Sequence, residues 1–211
     1  MEPLKDRIAV IGWGSLIWDL DDLAPKVEGE WLMGAGPALP FEFSRISPKR
    51  KMGLAVCLDP EHGERCRTNV IASLRREIHR AAEDLRQREW APAIDRIGAF
   101  CAGTGFLRAR LAPVGEAVRA WVEATGAAGA VWTDLEPNFA EVRGEPFSVP
   151  RAVAYLQGLT GESREEAVRY IEYAPAATDT PLRRALAGAT WWRDAAAQHA
   201  PPDPVRPRET R

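Results

Sequence analysis

Apolar positions recur along this chain in two rhythms. Residues 8–11, Ile-Ala-Val-Ile, are an unbroken apolar run and predict a short buried strand. Residues 39–47 alternate, with Leu39, Phe41, Phe43 and Arg45 on one face of a strand and Glu42, Ser44 and Ile46 on the other. A charged turn at 48–51 leads into a returning strand at 52–59, and a second turn at 60–64 leads into a third strand at 67–74. The period then lengthens. Leu74, Ile78, Ala81, Ala82 and Leu85 fall at helical spacing, which predicts an amphipathic helix over 76–89, ended with the help of Pro92.

Further strands are expected at 95–102 and 105–111, around Gly103-Thr104. Val114, Val118, Trp121 and Val122 predict a helix at 114–125 stopped by Gly126, and 128–135 is a buried strand. From Ser148, an expected N-cap, the pattern is helical at 150–158, 163–173 and 180–188, with Gly161 and Pro175 as separators. Residues 200–211 carry four prolines and almost nothing to bury, which predicts a disordered tail. The pattern is that of an α+β protein: a single domain over 1–199, including a helical C-terminal extension over about 148–199.

Composition narrows the function classes. A length of 211 residues is enough for a proper core, and 45% hydrophobic with 27% charged residues is an ordinary globular balance. A formal net charge of -2 argues against a nucleic-acid or anionic-membrane surface, and no apolar run is long enough for a membrane span. The charged N-terminus enters a strand at once and is not a signal peptide. Cys57, Cys66 and Cys101 are odd in number and lack paired spacing, which points to reduced thiols in a cytoplasm. His62, His79 and His199 lie far apart in sequence and argue against a metal cluster. Nothing in the pattern speaks to oligomeric state.

Two stretches carry candidate chemistry. In IAVIGWGSLIWD, residues 8–19, the first strand breaks into Gly12-Trp13-Gly14-Ser15 before Leu16. Glycines there permit positive φ and close approach of a ligand, and successive amides can form a concave nest for an anion or oxyanion. Neither a Walker phosphate loop nor the dinucleotide fingerprint fits the spacing. A tight strand-to-loop turn and a ligand cradle both satisfy it. The second stretch is LRQREW, residues 85–90, where Glu89 ends the helix beside Trp90. A carboxylate against an indole loses solvation and gains basicity, as a general base requires; the alternative is a solvated glutamate paired with Arg86 or Arg88.

Other residues have readings of both kinds. Arg45 is either a bidentate clamp for a substrate carboxylate or an exposed strand arginine. Asp134, Glu136 and Glu141 are either rim carboxylates or parts of a turn at Pro137-Asn138. Trp191-Trp192 is helix-end packing or a contact surface, and His79 is a surface or boundary residue.

Taken together, IGWGSLIW after the first strand and Leu85 to Glu89 after a strand and helix resemble the gamma-glutamylcyclotransferase-like family. Its members carry a Tyr-Gly-Ser-Leu or Tyr-Gly-Ser-Asn turn after an N-terminal apolar strand and a catalytic glutamate in a Leu-x-x-x-Glu context. The likeness covers roughly residues 7–111; the C-terminal helices resemble the extension of a bacterial, largely uncharacterised branch. It implies a small mixed β-barrel flanked by helices, with the pocket at the barrel mouth and no cofactor or metal. It implies release of 5-oxoproline from a gamma-glutamyl compound by attack of the substrate's own α-amino group. The backbone of Gly12, Trp13, Gly14, Ser15 and Leu16 would hold the glutamyl group, and Glu89 would move the proton. Hydrolysis of a gamma-glutamyl amide, or binding of a small acid or a partner protein without turnover, are the alternatives. Two positions depart from the family: Trp13 replaces the usual tyrosine, and Trp90 stands where glycine is frequent, which is expected to narrow or reshape the pocket beside the base.

Overall fold

The computed structural model describes residues 2–199; the expected tail, 200–211, lies outside them. The first strand, β1 (Ile8–Gly12), is fully buried. It is followed by β2 (Val27–Leu32), β3 (Ala38–Ser47), β4 (Gly53–Leu58), β5 (Glu64–Arg67), β6 (Asn69–Ser73) and helix α1 (Ile78–Glu89). Then come β7 (Ile97–Cys101), β8 (Leu107–Arg108), α2 (Ala112–Thr125) and β9 (Gly129–Thr133). Helices α3 (Phe139–Arg143), α4 (Val149–Gly158), α5 (Gly161–Glu172), α6 (Pro181–Ala187) and α7 (Thr190–Ala196) complete the described chain.

The architecture is mixed α+β. A six-stranded sheet has the order β2-β6-β1-β9-β7-β8, and a three-stranded sheet the order β4-β3-β5. β1 lies inside the larger sheet, antiparallel to β6 with Ala9 opposite Ala72 and parallel to β9 with Val10 opposite Val131. Its apolar run has no polar face because both faces are covered. Ala9 and Ile11 join the core that contains Phe41 and Phe43 of the smaller sheet, whereas Ile8 and Val10 join the cluster of Ala81, Ala82 and Leu85 from α1. The same division splits β9, with Ala130 and Trp132 on one side and Val131 on the other.

Departures from the sequence reading have local causes. The expected strand at 67–74 is β6, Asn69–Ser73; the residues just before it, Glu64–Arg67, form the unanticipated β5 of the other sheet, and the chain changes sheet at Thr68. No glycine or proline marks that corner; the buried Thr68 hydroxyl holds it by donating to the Pro37 carbonyl at 2.8 Å. In β3 the alternation holds through Phe43, then an irregular register between Glu42 and Arg45 puts Ile46 in the same apolar core as Leu39, Phe41 and Phe43. Leu74 does not belong to the helix face: α1 starts at Ile78 and Leu74 is exposed. The helix stops at Glu89 because Trp90 turns left-handed (φ 53°), two residues before Pro92. β8 keeps only two residues of the segment 105–111. Unanticipated were β2, interrupted by Gly29 at φ 78°, and the short helices α3 and α7.

The Ser148 cap is as expected, its hydroxyl accepting from the Arg151 amide, and Gly126 ends α2 at φ 71°. The C-terminal helices pack on the smaller sheet and against one another. At the centre of that contact, fully buried Glu42 on β3 accepts the Leu182 amide of α6 at 3.1 Å and the Phe43 amide at 2.7 Å. No helix among the described residues is long and apolar enough to cross a membrane.

Candidate active site

Both glycines of the first turn are required by what packs against them. A Cβ on Gly12 would lie 2.4 Å from Cη2 of Trp31, so the glycine lets the indole lie over the end of β1. Gly14 has φ +56°, and a Cβ there would stand 2.8 Å from the Tyr170 hydroxyl and 2.9 Å from Val56 Cγ1. Extended between them, Trp13 is buried with its ring 4.5 Å from that of Phe41. The chain then enters a 3₁₀ turn, Gly14–Ile17, whose first amides have no acceptor within the turn itself. Trp18 beyond it meets Tyr170 and Tyr173 edge-on. The turn is a tight strand-to-loop turn, and the groups that approach its glycines are the protein's own Trp31, Val56 and Tyr170.

A cleft open to solvent lies against this turn. Trp13, Ser15 and Leu16 line it, and so do Arg45 and Glu89. The structure therefore brings the turn, the strand arginine and the helix-end carboxylate to one cavity. Gly12 and Gly14 shape the turn without lining the cleft.

Arg88 makes the join. Its guanidinium is almost wholly buried at the end of α1, with Nη1 2.8 Å from Glu89 Oε1 and Nη2 donating to Ser15 Oγ at 3.2 Å. Nη2 also donates to the Asp19 carbonyl, while Nε has no hydrogen-bond partner among the described residues. Glu89 itself keeps 16% of its side chain exposed, so its pair with Arg88 is not the solvated surface pair of the alternative reading. Trp90 does not narrow the cavity. Its left-handed backbone turns the indole outward, 70% exposed, where Lys49 Nζ sits 4.7 Å from the ring centre.

Arg45, half-buried, donates to the Glu136 carbonyl at 2.6 Å. It is not an exposed strand arginine. Lys49 and Arg50, from the turn after β3, also line the cleft; Lys49 donates to the Arg88 carbonyl at 2.8 Å, and Arg50 pairs with Glu166 at 3.1 Å. Burial, with Arg88 nearby, lowers the Lys49 ammonium from its ordinary range. Arg45, Lys49, Arg50 and Arg88 thus face the cleft with Glu89 as the lining carboxylate, a field that favours an anionic ligand.

Neutral groups complete the wall. Cys57 is buried beside Ser44, its sulfur 3.4 Å from the hydroxyl, and burial pushes its thiol up to about 12. It stays protonated at neutral pH and cannot serve there as a nucleophile. Tyr170 is likewise pushed up to about 12 by burial and remains a phenol. Thr133, at the end of β9, presents a buried hydroxyl with no hydrogen-bond partner among the described residues.

The remaining candidates lie elsewhere. Asp134 is buried, accepts the Arg110 amide at 2.6 Å and is raised by burial; it is a structural carboxyl, not a rim group. The Glu136 carboxylate pairs with Arg96, Glu141 is exposed on α3, and Asn138 bonds both backbone groups of Ile46. Trp192 is core and donates to Glu172 at 2.6 Å, with Trp191 edge-on beside it. His79 is exposed near Phe106. Lys49, Arg50, Thr133 and Tyr170 were not singled out from sequence. The PKRK turn was visible as charge, but nothing local says that it folds back over α1.

Compared with family models, with curated proteins and with solved structures, the chain gives no match.

Proposed function

We propose that this chain is a gamma-glutamylcyclotransferase-like enzyme that releases 5-oxoproline from a gamma-glutamyl amine or peptide. The observation that carries the reading is the meeting of Ser15 and Glu89 at one cavity through their shared partner Arg88. In this reading Glu89 takes a proton from the substrate's α-amino group, whose nitrogen attacks the γ-carbonyl carbon. The new C–N bond closes a five-membered ring, the C–N bond to the departing amine breaks, and Glu89 returns the proton to that nitrogen. The amides of Ser15 and Leu16, the residues of the 3₁₀ turn that line the cleft, would meet the developing oxyanion, and Arg45 with the Thr133 hydroxyl the α-carboxylate.

The chemistry needs little else. Oriented intramolecular attack supplies an effective molarity of about 10⁵–10⁸ M, and one positioned base adds about 10²–10⁴-fold. Burial, which raises the Cys57 thiol, works against a thiolate route in the same cleft. We read the two sheets, joined at Thr68, as the counterpart of the family's small mixed barrel, and the protein as cytoplasmic with a small-molecule substrate.

The test is incubation with gamma-glutamyl-alanine, glutathione and N-ε-gamma-glutamyl-lysine, measuring 5-oxoproline and free glutamate. 5-Oxoproline supports the reading. Glutamate without 5-oxoproline would make the protein a gamma-glutamyl amide hydrolase. A second reading, a small-acid-binding module of the same fold, is favoured by the direct Arg88–Glu89 pair, which engages the carboxylate before any ligand arrives. It requires ligand binding that survives Glu89→Gln, with no turnover of the three compounds.

A further inference from the structure

Arg88 is more than the neighbour of Glu89. Adjacent helical residues diverge by roughly 100° around the axis, so Arg88 and Glu89 do not face each other by helix geometry alone. The guanidinium is nevertheless placed between the Glu89 carboxylate and the Ser15 hydroxyl, 73 positions from Arg88 in sequence, with Asp19 O as a third acceptor. It is 1% exposed. A buried guanidinium that serves the fold alone ordinarily has its donors satisfied, and its net contribution to stability is small because desolvation offsets the attraction. This one leaves Nε without a hydrogen-bond partner among the described residues and directs Nη1 to the carboxylate.

We propose that Arg88 is the positioning residue of the site: it fixes the Glu89 carboxylate in register with the Ser15 turn. The proposal rests on the reading of Glu89 as the general base. Arg88 engages Oε1, which assigns proton transfer to Oε2 and restricts rotation of the carboxylate about its terminal torsion. The same guanidinium, through Ser15 Oγ and Asp19 O, ties the end of α1 to the loop after β1. A base and an oxyanion cradle borne on separate elements therefore move as one unit. Lys49 adds a second tie from the smaller sheet, donating to the Arg88 carbonyl. Misplacement of a reacting group by about 1 Å can cost on the order of 10²-fold in rate, which is the scale on which such a tie acts.

The experiment compares wild type, Arg88→Gln, Arg88→Lys, Glu89→Gln and the Arg88→Gln/Glu89→Gln double variant. The assay is 5-oxoproline release from whichever of gamma-glutamyl-alanine, glutathione and N-ε-gamma-glutamyl-lysine turns over fastest. Arg88→Gln is expected to lower kcat about 10–100-fold with a smaller rise in KM, since one cation of the cleft is lost while Arg45, Lys49 and Arg50 remain. Arg88→Lys, which keeps the charge but loses the fork, should recover part of the loss and retain a folded far-UV spectrum even if Arg88→Gln does not. The double variant should be no slower than Glu89→Gln, because Arg88 acts through that carboxylate. Wild-type kcat in folded Arg88→Gln or Arg88→Lys, with turnover abolished by Glu89→Gln, would overturn the positioning role and leave the base reading standing. Additive losses in the double variant would overturn it too. Wild-type rates in Glu89→Gln, or no turnover of any of the three compounds by the wild type, would remove the base reading and this inference with it.

Discussion

Gly14 and Tyr170 meet so closely that a Cβ on the glycine would lie 2.8 Å from the tyrosine hydroxyl. The first turn of the chain and the fifth helix are thereby built around each other. Because Gly14 also has φ +56°, Gly14→Ala meets both a left-handed backbone and an occupied space. It should lose about 2–5 kcal/mol, combining roughly 1–2 for the backbone and 1–3 for overpacking. Adding Tyr170→Phe should recover part of that loss. Urea denaturation of the single and double variants measures both; a loss below about 0.5 kcal/mol would show that the turn can move away from α5.

Glu89→Gln keeps the size of the side chain and an acceptor for Arg88 but cannot take up the proton. With Glu89 as the base proposed above, any turnover of a gamma-glutamyl compound should fall by about 10²–10⁴-fold while the protein stays folded and binds that compound with little change. Ligand affinity from calorimetry and 5-oxoproline release from chromatography are the two readouts. Unchanged rates would move the chemistry away from this carboxylate.

Glu42 links pH to the docking of the C-terminal helices. Burial raises its carboxyl above the ordinary 4.5, opposed by hydrogen bonds from Thr180, Phe43 and Leu182, with Asp59 adding to the rise. The folded state then holds a proton that the unfolded chain has released. Stability should fall as pH rises from about 4.5 through the raised folded value, and be flat above it. Asp134, also raised by burial, contributes in the same sense from 3.8 upward. Thermal melts across pH 4–8 should show a shallower fall for Glu42→Gln than for wild type. An identical slope would mean that the folded protein ionises Glu42 as readily as the unfolded chain does.

The three thiols should differ in reactivity. Cys57 and Cys66 are buried and both are raised by burial, whereas Cys101 is partly exposed and lowered chiefly by a hydrogen bond from the Thr104 side chain. Brief iodoacetamide treatment at neutral pH should label Cys101 first, with the other two following only on unfolding. Peptide mapping by mass spectrometry reads the order, and early labelling of Cys57 would indicate that the cleft opens in solution.

The sequence by itself determined the elements whose signal is local. The run at 8–11, the helical spacing from Ile78 to Leu85 and the caps at Ser148 and Gly126 each state their structure within a few residues, and each is found. The turn at Gly12–Ser15 and the carboxylate at Glu89 were also visible, because glycine pairs and a helix-end acid are unusual where they stand. What only the tertiary structure decided is what crosses the chain. Thr68 turns the backbone from one sheet to another through a hydrogen bond to Pro37, and no turn residue announces it. Gly29 hides β2, whose pairing with β6 comes from a partner some forty positions away. Arg88 looks like any surface arginine of an amphipathic helix until Ser15 and Asp19 fold over it. Lys49, Arg50 and Tyr170 enter the cleft from a hairpin and a helix whose local patterns encode only charge and an apolar stripe. Periodicity records which face of an element is buried; which residues meet there is set by packing between elements, and the convergence of cations on Glu89 is of that second kind.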